Sequence, residues 1–215
     1  MINTIVLKVV SPCNLACTYC YEYNHGDNSW KTKPKRISLT TIELLAKKIQ
    51  YYIEENKINS FNLVAHGGEP LLLGAKYMDE LYGVINDNLD SKIVKLSMQT
   101  NATLINYKFT EIFKKYKIYL GISLDGDEEA NQLRIDHKGK QTLQRTLKGI
   151  SIVQEECSDL LSGILSVINI NSNPSNILKT FSDIKIKMVD FLLPFYTHDS
   201  LDINEKRKLQ EISKL

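Results

Sequence analysis

Little in this chain marks it for a membrane, a nucleic acid or an oxidising compartment. No apolar run is long enough to span a bilayer. The opening Met-Ile-Asn-Thr-Ile-Val-Leu-Lys has neither the basic start nor the apolar length of a secretory signal. A net charge of +2 over 215 residues is too small to argue for a nucleic acid or a membrane surface as partner. Low-complexity tracts and sequence repeats are missing too. Cysteine is scarce, at four residues, yet Cys13, Cys17 and Cys20 are packed together and only Cys157 stands apart. The expected location is the cytoplasm, where such a trio suggests a metal or cluster site before it suggests disulfides. What is present is ordinary for a globular domain with a sizeable core: 43% hydrophobic and 24% charged residues.

Short apolar runs alternate with amphipathic helical patterns, the signature of βαβ units and a parallel sheet. The expected strands are 4–10, 61–65, 93–98, 118–124, 161–168 and 189–193. A helix is expected to start near Thr40, with Thr40 and Glu43 at capping-box spacing and Ile42, Leu45, Ala46, Ile49, Tyr52 and Ile53 on one face. Further helices carry Tyr77, Leu81, Val84 and Ile85; Phe109, Ile112, Phe113 and Tyr116; and Leu143, Leu147, Ile150, Val153 and Cys157. Asn173-Pro174 reads as an N-cap and first turn, with Ile177, Phe181, Ile184 and Met188 inward. Six β-then-α units predict an open, partial TIM-like (β/α)6 barrel over residues 1–200. Residues 201–215 then begin a C-terminal helix bearing Leu209, Ile212 and Leu215. Active sites in such folds lie at the carboxyl ends of the strands. The cysteines, Gly67-Gly68-Glu69-Pro70, Gln99-Thr100-Asn101 and Asp125 all fall there.

Cys13-x3-Cys17-x2-Cys20 follows the first strand. A [4Fe–4S] cube is held by cysteine thiolates, and three of them leave one iron open to an exchangeable ligand. The competing readings are a Cys3His zinc knob completed by His25, whose ligands lack the usual two separated pairs, and three incidental buried cysteines. A strand-then-loop context favours the cluster.

With Tyr19 just before the last cysteine and Gly67-Gly68-Glu69-Pro70 after the second strand, the sequence resembles the radical SAM superfamily over nearly its whole length. The resemblance implies that Cys13, Cys17 and Cys20 ligate a [4Fe–4S] cluster. S-adenosylmethionine (SAM) would chelate its open iron and be cleaved reductively to a 5′-deoxyadenosyl radical. It implies further that Gly67 and Gly68 admit a close approach of ligand and that Glu69 helps hold the SAM amino group. Gln99, Thr100 and Asn101 would lie near the methionine moiety or ribose, and Ser123 and Asp125 would add polar contacts. Arg134 would pair with the SAM carboxylate, and Tyr19 would pack near adenine. A flavodoxin or ferredoxin would be the electron donor. Cys-Asn-Leu-Ala-Cys-Thr-Tyr-Cys-Tyr followed by His66-Gly67-Gly68-Glu69-Pro70 is similar to the branch of peptide maturases and anaerobic sulfatase maturases. Asp190-Phe191-Leu192-Leu193-Pro194 with Thr197-His198-Asp199 is similar to maturases that crosslink ribosomal peptides. The expected substrate is therefore a peptide or protein side chain. Modification of a small molecule, an inactive cluster-binding module and a zinc-binding interaction protein are the alternatives.

That branch usually continues into a cysteine-rich, SPASM-type extension for auxiliary clusters, whereas no cysteine follows Cys157 here. The chain accordingly reads as a fragment or a minimal enzyme. Cys157 reads as a buried small hydrophobe. His25, His137 and His198 read as surface residues, and His66 as either a substrate contact or a strand cap. Asp125 could simply start a turn with Gly126, and Arg134 could pair at the surface with Asp136 or Glu128. The run from Lys31 to Arg36 reads as a solvated loop, with an acidic peptide as the alternative partner. Tyr21, Tyr23 and Trp30 would shield the cluster or pack as core.

Overall fold

A computed structural model describes residues 1–24 and 26–194. Six parallel strands, β1 (Thr4–Val10), β2 (Phe61–Gly67), β3 (Val94–Thr100), β4 (Tyr119–Ser123), β5 (Leu161–Val167) and β6 (Val189–Leu192), form one sheet in sequential order. β1 and β6 are its two edges and do not pair, so the barrel is open. A short helix α1 (Tyr21–Asn24) follows β1. The longer helices α2 (Leu39–Glu55), α3 (Ala75–Asn88), α4 (Tyr107–Tyr116), α5 (Leu143–Cys157) and α6 (Pro174–Asp183) each follow one strand and precede the next.

The open barrel explains an asymmetry in burial. Residues facing the helices, such as Phe61, Leu63 and Ala65 on β2 or Leu120 and Ile122 on β4, are fully buried. Their neighbours facing the barrel interior are only half-buried, because no closed ring of strands fills that space. The main apolar core thus lies between sheet and helices, where Ile42, Ile49, Met78, Leu81, Phe113 and Val153 meet the strands. Interior positions near the rim are correspondingly polar: His66, Gln99 and Ser123. Gly121 makes room for one of them, since a Cβ there would lie 2.3 Å from Gln99 Oε1.

Several local expectations are corrected. The first long helix begins one residue early, and Ser38, not Thr40, caps it: Ser38 Oγ accepts from Thr41 N at 3.1 Å. Thr40 and Glu43 therefore lie inside the helix, where no capping box is needed. β2 runs two residues past Ala65, because Gly67, at φ +138°, pairs with Val10 across an irregularity in β1. β3 likewise reaches Thr100, which places Gln99 and Thr100 within the strand. Met188 is 62% exposed: α6 ends at Asp183, so Met188 has left the helical face and sits just before an edge strand. Asn173 caps α6 as expected, its Oδ1 accepting from Ser175 N at 2.9 Å. His25, the Thr197-His198-Asp199 stretch and the helix expected from Asp202 lie outside the described residues.

Candidate cluster and cofactor site

The site is built where β1 leaves the sheet. Backbone pairing between the first two strands continues beyond their ends: Gly68 N donates to Val10 O and Glu69 N to Pro12 O, each at 3.1 Å. A Cβ on Gly67 would sit 2.2 Å from Val10 O, and one on Gly68 2.1 Å from Pro12 O. The two glycines are thus required by the approach of the cysteine loop itself. Glu69, 1% exposed, then gathers the next strand. Its Oε1 accepts from Leu71 N (3.1 Å) and Thr100 Oγ1 (2.6 Å), and its Oε2 from Asn101 N (2.8 Å). Burial pushes the Glu69 pKa up, and these three donors oppose it. A carboxylate offers about four acceptor positions, so one on Oε2 remains for a cationic ligand.

Asn101 carries the connection to the cysteines. Its Nδ2 donates to Asn14 Oδ1 at 3.0 Å and lies 3.9 Å from Cys13 Sγ, while Asn14 Nδ2 donates to Thr103 Oγ1 at 2.8 Å. Leu15 N also donates to Cys13 Sγ, at 3.4 Å. Across the loop, Tyr19 is the link. Its hydroxyl donates to Asp125 Oδ2 (2.5 Å) and accepts from Arg134 Nη1 (2.7 Å). Asp125 Oδ1 accepts from Val167 N at 3.0 Å and lies 3.8 Å from the Arg134 guanidinium. Burial pushes the Asp125 pKa up, opposed by Arg134 and by these hydrogen bonds. Both oxygens act as acceptors, the role of a carboxylate. Burial also works against the Arg134 charge, but Tyr19 and Asp125 outweigh it and hold the guanidinium protonated. Asp125 is thus a buried ion-pair partner, and Arg134 pairs with it, not with Asp136 or Glu128. Asp136 instead binds Arg145 at 2.8 Å.

A third set of contacts was invisible in the sequence. Residues 133–137 run antiparallel to the cysteine loop: Ala16 N donates to Ile135 O (2.7 Å), Thr18 N to Leu133 O (3.0 Å), and Leu15 bridges Asp136. His137, expected only at the surface, is exposed but places Nε2 2.9 Å from Cys13 O. These pairs lie more than a hundred positions apart, and nothing in local pattern signals them. Asn14 and Thr103 were missed as well, although Asn14 stands inside the cysteine motif.

One cavity of about 380 Å³ collects the result. Cys13, Cys17 and Cys20 line it with Tyr19, Gly67, Gly68, Glu69, Gln99, Thr100, Asn101, Ser123 and Arg134. Gln99 Nε2 donates to Ser123 Oγ at 2.8 Å. Asp125 is not in the wall but directly behind Tyr19 and Arg134. His66 joins the wall; burial lowers its pKa and its Nδ1 accepts from Gly67 N at 2.8 Å. Leu165, Val167, Leu192 and Leu193 close the far side. All four cysteines are free thiols, and Cys157 is buried on α5 away from this cavity. Burial raises the Cys13 pKa to about 12 and pushes Cys17 and Cys20 up. Each of these thiols would give up its proton on ligating iron. Among the described residues no three His, Cys, Asp or Glu side chains converge to hold a single metal ion. A cube presents its irons at separate corners, so its thiolates need not meet at a point, and the donor set fits a cluster with one iron left open. Arg134 Nε is buried without a partner among the described residues, a donor available to an anionic group in the cavity.

The molecule is an open α/β barrel that carries three thiols and a Gly-Gly-Glu segment on its carboxyl rim. The profile of the Radical SAM superfamily matches residues 8–184, and the chain belongs to that superfamily, whose members use a [4Fe–4S] cluster and SAM. An uncharacterised protein of Methanocaldococcus jannaschii is 33% identical over 79% of this chain and 54% of its own length. A cysteine-type anaerobic sulfatase-maturating enzyme of Clostridium novyi is 28% identical over 89% of this chain and 50% of its own length. The structure of native anSMEcpe with bound AdoMet and Kp18Cys peptide aligns with a TM-score of 0.78 at 22% identity, covering 97% of this chain and 58% of that one. The chain thus spans about half the length of the curated relatives it matches. No helix among the described residues is long and apolar enough to cross a membrane.

Proposed function

We propose that Cys13, Cys17 and Cys20 hold a [4Fe–4S] cluster, that SAM binds beside it, and that the substrate is a peptide or protein side chain. The observation that carries this reading is the single cavity uniting three free thiols with Glu69 and Arg134. When bound, the cofactor pair supplies an electron and a cleavable sulfonium, giving methionine and a 5′-deoxyadenosyl radical able to abstract a hydrogen atom. The chain's own part is placement. Glu69 offers its free acceptor position to the SAM ammonium, and Arg134 Nε donates to the carboxylate, as guanidinium geometry suits. Tyr19 holds Arg134 in line from behind and packs near adenine. Gln99, Thr100, Asn101, Ser123 and the backbone at Gly67 and Gly68 complete the polar contacts, and Leu165, Val167, Leu192 and Leu193 give the cavity an apolar side. A flavodoxin or ferredoxin supplies the electron in the cytoplasm. The barrel core falls within residues 1–200, its described part being 1–24 and 26–194.

The peptide assignment draws on the sulfatase-maturating relatives and on the peptide bound in anSMEcpe. It is tested by incubating cluster-loaded protein with SAM, a reductant and a cysteine-containing peptide deuterated on its side chains. Deuterium in the 5′-deoxyadenosine is the expected result. SAM cleavage that never draws deuterium from any peptide would refute the peptide assignment.

A further inference from the structure

A second cavity, of about 480 Å³, lies beside the first and includes none of the three clustered cysteines, Glu69 or Arg134 in its walls. It is bounded by Lys8, Val9 and Val10 of β1 and Ser11 just after it, by Glu22 of α1, by the loop preceding α2, and by Ser38 and Thr41 at the start of α2. Its size is within the roughly 300–1,000 Å³ of small-ligand and side-chain pockets. The two cavities share Glu22 and Gly68 as walls, so a chain held in one has a short path to the other. The loop is anchored to the sheet edge, with Ser11 N donating to Lys35 O (3.0 Å) and Ile37 N to Val9 O (2.9 Å). The groove is therefore a fixed part of the edge where the barrel fails to close.

Its polar groups are unbalanced. Lys8 is paired with Glu22, and the Asp27 carboxylate accepts from Ser29 N and Oγ at 2.7 and 3.2 Å. Lys33 and Arg36 make no ion pair among the described residues; Arg36 is held over the Tyr77 ring, 4.0 Å from its centroid. Lys31 and Lys35 add to the same positive run. Trp30, packed edge-on against Tyr23 at 4.9 Å, lines the cavity, and its buried Nε1 has no acceptor among the described residues. An indole N–H can only donate. Lys33 and Arg36 line the cavity without a carboxylate within ion-pair distance, while its two carboxylates, Glu22 and Asp27, are already engaged by Lys8 and Ser29, so a ligand seated there gains from negative charge.

We propose that this groove is a second binding site that takes an acidic segment of the polypeptide whose side chain enters the cysteine cavity. This deepens the peptide reading and rests on it for the identity of the bound chain. The 31–36 run is exposed throughout, as a solvated loop is, and its Lys33 and Arg36 also line the cavity.

The probe is a fluorescein-labelled, N-acetylated peptide of alternating glutamate and alanine, titrated into the cluster-loaded chain at low salt and followed by anisotropy. Trp30 is the only tryptophan in the chain, so its emission reports occupancy directly. Binding that shifts Trp30 emission, weakens with salt and falls about fivefold in Lys33→Glu supports the site. The glutamine counterpart of the peptide should bind about fivefold more weakly too. Lys148→Glu on α5, which makes the same change in net charge, should leave binding unchanged. Equal loss in Lys148→Glu, equal binding of the glutamine peptide, or no binding of the acidic one would overturn the proposal. SAM cleavage without peptide is assayed on the same samples and should be the same in Lys33→Glu as in the unmodified chain. Cleavage with no peptide binding removes the groove and leaves the cofactor reading standing. Binding at Lys33 with no cleavage does the reverse.

Discussion

The cysteine loop hangs between two buried carboxylates that are satisfied in different ways. On the Cys13 side, Glu69 is held entirely by neutral donors: two backbone N–H groups and a threonine hydroxyl. Across the loop, Asp125 faces the buried guanidinium of Arg134, with Tyr19 between them. Removing an acceptor from the first site leaves unpaired dipoles, whereas removing the acid from the second strands a charge. The second is the more costly defect, because a lone buried ion loses far more hydration than a lone amide.

This difference orders the expected effects of substitution. Asp125→Ala should cost about 3–5 kcal/mol, read as a Tm fall on the order of 6–20 °C in the metal-free protein. Adding Arg134→Met should restore much of that loss. If the single and double variants melt together, the charge is not what anchors this side. Glu69→Gln should cost about 1–3 kcal/mol, since its amide must turn an N–H toward groups that are themselves donors. A Glu69→Gln loss exceeding that of Asp125→Ala would reverse the comparison. Asn14→Ala removes the bonds to Thr103 and Asn101 and should cost about 0.5–1.5 kcal/mol. Its sharper readout is iron retention: on gel filtration with a chelator, it should lose cluster iron faster than the unmodified chain. His137→Ala deletes one exposed hydrogen bond to Cys13 O, and its melting point should shift by no more than about 3 °C.

The two anchors also differ in how far the sequence reveals them. Glu69 stands beside paired glycines at a strand end, a local pattern that marks the place by itself. The six strands and the apolar helix faces were legible for the same reason, because Leu120, Ile122 and their like repeat with the period of their element. Asp125 and Arg134 were legible as candidate ligand contacts, but their pairing through Tyr19 was not, since it joins residues more than a hundred positions apart. The clasp of residues 133–137 on the cysteine loop escaped for that reason as well. Helix and strand ends failed for a different one. Ser38 competes with Thr40 as a cap, and only the packing of β1 against residues 35–37 decides between them. Met188 continued a helical spacing on paper, while the chain had already turned toward β6.

The function proposed for this chain requires that its three clustered thiols carry a cluster that cleaves SAM. The direct test is anaerobic reconstitution with iron and sulfide, reduction, addition of SAM and assay for 5′-deoxyadenosine, beside a Cys13→Ala/Cys17→Ala/Cys20→Ala control. Formation of 5′-deoxyadenosine by the intact chain alone is the predicted result. A chain that takes up zinc in place of an iron–sulfur cluster, or a loaded cluster that leaves SAM intact, would contradict it.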